Sequence, residues 1–203
     1  MKQLHRADLY GWSRFDESRN IDFHSLLWRR PEGNVVIDPL PLSEHERGRL
    51  QEFGGVKHVV ITNSDHVRAT AELVALTGAR TYGPRGERGS FPLQCDVWLG
   101  DEDTVVEGLV ALALEGSKTD GELALLLERT TLITGDLVRA HAGGRLDSLP
   151  EAKLRDRAAA RRSLERLAGI ASVVAVLPGD GWPMFRDGHG ALTDLVRRFG
   201  LEA

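Results

Sequence analysis

Hydrophobic positions along this chain fall in short runs separated by polar turns, and two periods alternate in the first half. Residues 25–28 and 34–37 form apolar runs joined by the turn Pro31-Glu32-Gly33, which predicts two strands. Asp38-Pro39 stops the second. Ser43, with Glu46 three residues on, has the form of a capping box, so a helix is predicted from there to about residue 53, closed by Gly54-Gly55. A strand over 57–61 follows. A helix over 67–76 comes next, capped by Ser64 or Asp65 and ended by Gly78. A short strand is expected at 79–82 and a polar loop at 83–89.

The second half changes character. Short strands are predicted at 97–99, 104–106, 109–114, 122–127 and 131–134, with turns at Gly100-Asp101, Glu107-Gly108 and Glu128-Arg129-Thr130. A long helix over 150–168, a buried strand over 172–177 and a closing helix over 191–199 complete the chain. Strand–helix units, then an antiparallel run, then helix–strand–helix predict an α/β (α+β) fold with sheets inside and helices outside. No repeat or linker divides the 203 residues, so one domain over 1–203 is expected.

Polar residues collect where these strands end. Asn63-Ser64-Asp65-His66 follows the run 59–61, and Gly116-Ser117-Lys118-Thr119-Asp120-Gly121 lies between two strands. Gly135-Asp136-Leu137 and Gly179-Asp180-Gly181 each follow an apolar run directly. Singly, Asp65 reads as a helix cap and Asp136 and Asp180 as turn residues. Together, three aspartates and a histidine facing one crevice repel each other without a cation, because buried charge needs a partner.

Composition narrows the partners. The formal net charge is −4 and there is no basic block, which argues against nucleic acid or an anionic membrane as partner. The single Cys95 permits no intrachain disulfide and suits a reducing compartment. The first residues lack the apolar core of a signal peptide, and no apolar run reaches the ~20 residues of a membrane span. A cytoplasmic location, a small-molecule ligand and, as an alternative mode of action, a homodimer are the expectations.

In order and spacing, these segments resemble the metallo-β-lactamase superfamily, from Val35-Val36-Ile37-Asp38-Pro39 to Gly179-Asp180-Gly181. The resemblance implies a four-layer αββα sandwich and metal-assisted hydrolysis. The family's Thr-His-x-His-x-Asp-His motif is shortened here to Thr62-Asn63-Ser64-Asp65-His66. The Asp-His pair remains, Asn63 replaces one upstream histidine, and the other is deleted. Lys118 stands where the next family histidine would be, Asp136 matches the bridging aspartate, and Asp180 replaces the final histidine. His189, in a second Gly-His-Gly turn, lacks the preceding buried strand and is the weaker match.

The resemblance therefore implies a site that has lost one metal position. Asp65, His66, Asp136 and Asp180 are the remaining candidate ligands. They are an oxygen-rich set for one divalent ion, zinc, manganese or iron, with magnesium also suited. With a metal, the chain is a hydrolase with an atypical mononuclear site, and Lys118 and Asp65 are its candidate catalytic residues. Without one, Lys118 pairs with Asp136, and the protein is a non-catalytic ligand-binding or regulatory relative. Asn63, Arg68 and Arg139 are candidate substrate contacts, with His141 and His189 at the rim. Trp182 and Phe185 either wall the pocket or pack the last helix.

Overall fold

The computed structural model describes residues 1–201. One sheet holds seven strands in chain order: β1 (Lys2–Gln3), β2 (Leu9–Asp16), β3 (Ile21–Trp28), β4 (Val35–Ile37), β5 (His58–Val60), β6 (Arg80–Pro84) and β7 (Val97–Leu99). β1 to β4 are antiparallel and β4 to β7 parallel. The second sheet contains β8 (Thr104–Val106), β9 (Leu109–Leu114), β10 (Glu122–Leu127) and β11 (Thr131–Thr134). β14 (Ala175–Pro178) lies parallel beside β11. β12 (Val138–Ala142) and β13 (Arg145–Ser148) form a separate hairpin.

Three apolar cores fix the layers. Leu26, Ile37, Val60 and Leu99 of the first sheet meet Leu109, Leu123, Leu125 and Ile133 of the second, so the sheets pack face to face. The outer face of the first sheet, with Val36 and Val59, is covered by Leu50 of α1 (Glu44–Glu52) and Leu73 of α2 (Thr70–Thr77). The outer face of the second, with Leu112 and Leu132, is covered by Leu164 of α3 (Arg157–Ala168) and Leu195 of α4 (Gly188–Leu201). The result is the α–β–β–α order that the family resemblance implies.

Several elements differ from the sequence reading. The capping box at Ser43 and Glu46 forms as expected. The expected helix over 67–76 is split: Ser64–His66 is one 3₁₀ turn, and α2 begins only at Thr70. Arg68 causes the break, because its φ of +43° lies in the left-handed region, which a continuous helix excludes. Asn63 caps the 3₁₀ turn, its side chain accepting from the Asp65 backbone N–H, and α2 starts after Ala69 with no side-chain cap, so neither Ser64 nor Asp65 serves. The helix expected over 150–168 starts at Arg157, capped by Asp156 after a 3₁₀ turn at Glu151–Lys153. The sequence pattern does not predict β2 or the β12–β13 hairpin. Among the described residues, no helix is long and apolar enough to cross a membrane.

Candidate functional site

Topology gathers the polar segments on one edge of the sandwich. β4 and β5 are parallel and end at Asp38 and at Thr62 to His66. β11 and β14 are parallel and end at Asp136 and Asp180. β9 and β11 both run antiparallel to β10, so the end of β9 reaches the same edge and delivers Lys118. Carboxyl ends of neighbouring parallel strands are where such sheets leave a crevice. Two glycines let the strands close in. A Cβ at Gly179 would lie 2.7 Å from His66 Cε1, and one at Gly135 would lie 2.9 Å from Asn63 Nδ2. The crevice measures about 840 Å³ and includes Asp65, His66, Arg68, Lys118, Asp136, Arg139, His141 and Asp180 in its walls.

At its centre stands Lys118. Its Nζ is 2.5 Å from Asp65 Oδ2 and 3.1 Å from Asp136 Oδ2, so the ammonium bridges two of the candidate ligands. Burial opposes the charge, but Asp136 and Asp65 outweigh it and raise the lysine above its ordinary value. Asp136 is itself buried, and burial pushes its carboxyl up. His66 and Lys118 prevail and hold it below the usual carboxylate range. Asn63 Nδ2 donates to the same Asp136 Oδ2 at 3.1 Å.

His66 is oriented from behind by Asp38. Nδ1 lies 2.8 Å from Asp38 Oδ2, and the other ring nitrogen is 3.8 Å from Asp136 Oδ1. Asp38 also accepts from the Thr62 backbone N–H at 2.8 Å and the Thr62 hydroxyl at 2.7 Å. Burial pulls the imidazole down, yet Asp38 overcomes it against the opposing Arg68, and His66 titrates above its ordinary value. Asp38 does this from a φ of +48°, a conformation that costs a non-glycine residue roughly 1–3 kcal/mol.

Asp180 belongs to a different group. It ion-pairs with Arg139, and His141 Nε2 lies 3.4 Å from the same oxygen. Asp180 Oδ1 and Arg139 Nε are buried without hydrogen-bond partners. Arg139 is therefore committed to Asp180 and does not stand free at the rim. Arg68 turns inward and binds backbone carbonyls. His189 opens α4, with its N–H on the Val173 carbonyl, outside the crevice wall. Trp182 is 61% exposed and is not part of the crevice wall.

Three carboxylates absent from the sequence-based candidates support this edge. Asp38 reads in the sequence only as a strand stop. Glu122 is buried under Asp136: its Oε2 accepts from the Ser117 hydroxyl at 2.6 Å and its Oε1 from the Leu137 N–H at 2.9 Å. Glu87, also buried, accepts from the Ser64 N–H at 3.0 Å. A glutamate heading the apolar run Leu123 to Leu127 was the available signal for Glu122.

These residues do not fit a resident metal ion. Among the described residues, no group of three or more His, Cys, Asp or Glu side chains is arranged to hold one. The donor chemistry gives the reason. An ammonium lies between Asp65 and Asp136, a guanidinium is on Asp180, and the carboxylates already have their counter-charges.

Solved structures with this fold include a metallo-beta-lactamase from Pontibacter korlensis (17% identical, 96% of each chain covered, TM-score 0.74). The FIM-1 enzyme of Pseudomonas aeruginosa in a mono-zinc form is similar over 94% of this chain and 90% of that one (14%, TM-score 0.69). A metallo-beta-lactamase family protein from Thermus thermophilus is 19% identical over 96% of this chain and 80% of that one (TM-score 0.71). No curated protein matches the chain. The family model described as metallo-beta-lactamase superfamily matches residues 1–199, essentially the whole folded chain, and this protein belongs to that superfamily.

Proposed function

We propose that this protein is a metal-independent member of its superfamily that binds a small molecule in the crevice and does not hydrolyse it through a metal-activated water. The observation that carries this reading is the position of Lys118, whose ammonium lies within ion-pair distance of both Asp65 and Asp136. A divalent ion at those carboxylates would meet a fixed positive charge a few ångströms away. Lys118 provides the neutralisation that a metal would otherwise supply, and Arg139 does the same for Asp180.

The crevice remains a ligand site without the metal. Its volume falls in the usual range for small-molecule pockets, and its walls mix Ile21, Phe23, Leu40, Leu149 and Pro150 with convergent polar groups. Superfamily membership favours a second reading, a metal-dependent hydrolase with one altered site, in which Asp65, His66, Asp136 and Asp180 are the ligand candidates.

Elemental analysis of protein purified without a metal-affinity step separates the two. The expected result is less than about one-tenth of an equivalent (an order-of-magnitude threshold for incidental metal) of zinc, manganese or iron, before and after soaking with each ion. A stoichiometric metal would sink the metal-independent reading.

A further inference from the structure

The geometry points to Arg68 as the anchor for the anionic group of the crevice's ligand, a small organic oxyanion (a carboxylate or a phosphate monoester) with an apolar body. This rests on the reading of the crevice as a metal-free ligand site.

Charge in the crevice is unbalanced. Five cationic side chains line it, Arg19, Arg68, Lys118, Arg139 and Lys153, against three carboxylates, Asp65, Asp136 and Asp180. Lys118 and Arg139 account for all three carboxylates. Of the rest, Arg19 and Lys153 are exposed, and Arg19 pairs with Asp16. Arg68 lies deeper; the charges of Asp38, Asp136 and Asp180 reach it, but among the described residues no carboxylate lies within ion-pair distance of its guanidinium. Nη1 donates to the carbonyls of His24 at 2.6 Å and Asp38 at 3.1 Å, and Nη2 donates to that of Gly179 at 3.4 Å. A guanidinium has five N–H donors. Three are engaged, which leaves two, one on Nε and one on Nη2. These form one edge of the fork, the geometry that accepts two oxygens of a single oxyanion.

Arg68 is also costly to place. Its backbone sits at a φ of +43°, beside a second non-glycine residue in the same region, Asp38, at +48°. Such strain persists where the surrounding structure fixes a residue for a purpose. The three carbonyls come from β3, from the end of β4 and from the turn after β14, so they hold the guanidinium plane rigid. Phe23 flanks it, with Cζ 5.5 Å from the ring centroid. Phe23, Ile21, Leu149 and Pro150 line the same crevice and offer apolar surface to the body of a ligand held at the free edge.

The test is an NMR titration of the full chain with benzoate, phenyl phosphate and the neutral benzamide. At least one oxyanion should bind saturably, with shifts centred on Arg68, Phe23 and Leu149, and benzamide should not. Arg68→Gln should weaken binding about tenfold or more, and Arg68→Lys should weaken it less, since it keeps the charge but not the fork. Should the glutamine variant fail to fold, the lysine variant and the benzoate–benzamide contrast decide the matter. Binding undiminished in a folded Arg68 variant, equal binding of benzamide, or no oxyanion binding at all would overturn the assignment. Metal analysis on the same sample keeps two failures apart. Bound metal removes the reading beneath, whereas a metal-free protein that takes benzamide as readily as benzoate loses only the anchor.

Discussion

At the scale of single residues, the site is governed by where positive charge sits. Asp136 is buried beside Asp65, and a buried carboxylate is tolerable only with a hydrogen-bonded counter-charge. His66 and Lys118 provide it, and Lys118 does so at hydrogen-bonding distance. Removing one partner of a fully buried ion pair costs about 3–5 kcal/mol, and the partial exposure of Lys118 reduces that. Lys118→Ala is therefore expected to lose about 1–3 kcal/mol in urea denaturation at pH 7. The pH dependence follows from Asp136, whose folded value is depressed below 3.8. A depressed carboxylate contributes stability above its unfolded value and loses it as pH falls through the folded one. The gap between wild type and variant should accordingly close in acid. A variant as stable as wild type at pH 7 would show that Lys118 is an ordinary surface lysine.

At the scale of elements, Glu122 ties strand ends together. It opens β10 opposite Leu114 and accepts from Ser117, just beyond β9, and from Leu137, just beyond β11. Burial first, and the charge of Asp136 second, push its carboxyl above its ordinary value. A group raised on folding contributes stability that is complete below its unfolded value of 4.5 and is lost as pH rises through the folded value. Glu122→Gln keeps the shape, since the amide oxygen can accept from Leu137 and the Ser117 hydroxyl can turn to accept from the amide. This variant should gain on wild type between about pH 5 and pH 8 by on the order of 1 kcal/mol, measured by chemical denaturation across that range. A difference that stays flat with pH would mean that Glu122 does not titrate there.

The elements also show what a sequence can and cannot disclose. The capping box at Ser43 and Glu46 was legible because both partners lie within one turn. The meander from β8 to β11 was legible because its apolar runs are bounded by turn residues. The β12–β13 hairpin is not legible although Gly143-Gly144 marks its turn, because Arg139 and His141 interrupt the apolar pattern. The break before α2 was not legible, since nothing local in Val67-Arg68-Ala69 demands a positive φ; the three carbonyls that capture Arg68 come from distant segments. The strand-end positions of Asp65, His66, Lys118, Asp136 and Asp180 could be placed along the chain, and all five line one crevice. Of their pairings, only Lys118 with Asp136 was among the alternatives read from the chain. Asp38 joins His66 and Arg139 takes Asp180 through tertiary contacts alone.

At the scale of the molecule, the sandwich does not depend on what fills its edge. Its three cores lie between the sheets and under each helix layer, and none of their members is a candidate ligand. A metal contributing to the stability of such a fold would do so by mass action, adding about 2.7 kcal/mol when free metal stands at a hundred times its Kd. For a chain of this size each kcal/mol moves the Tm by about 2–4 °C, so a resident metal at that saturation would raise it by roughly 5–11 °C. In the metal-independent reading, Lys118 and Arg139 occupy that electrostatic role and come with the fold. Melting curves in EDTA, in buffer alone and with added zinc or manganese should then coincide. A Tm that falls in EDTA and returns with one of the ions would mean that Lys118 withdraws from Asp65 and Asp136 to admit it, and the protein would rejoin the metal-dependent hydrolases of its superfamily.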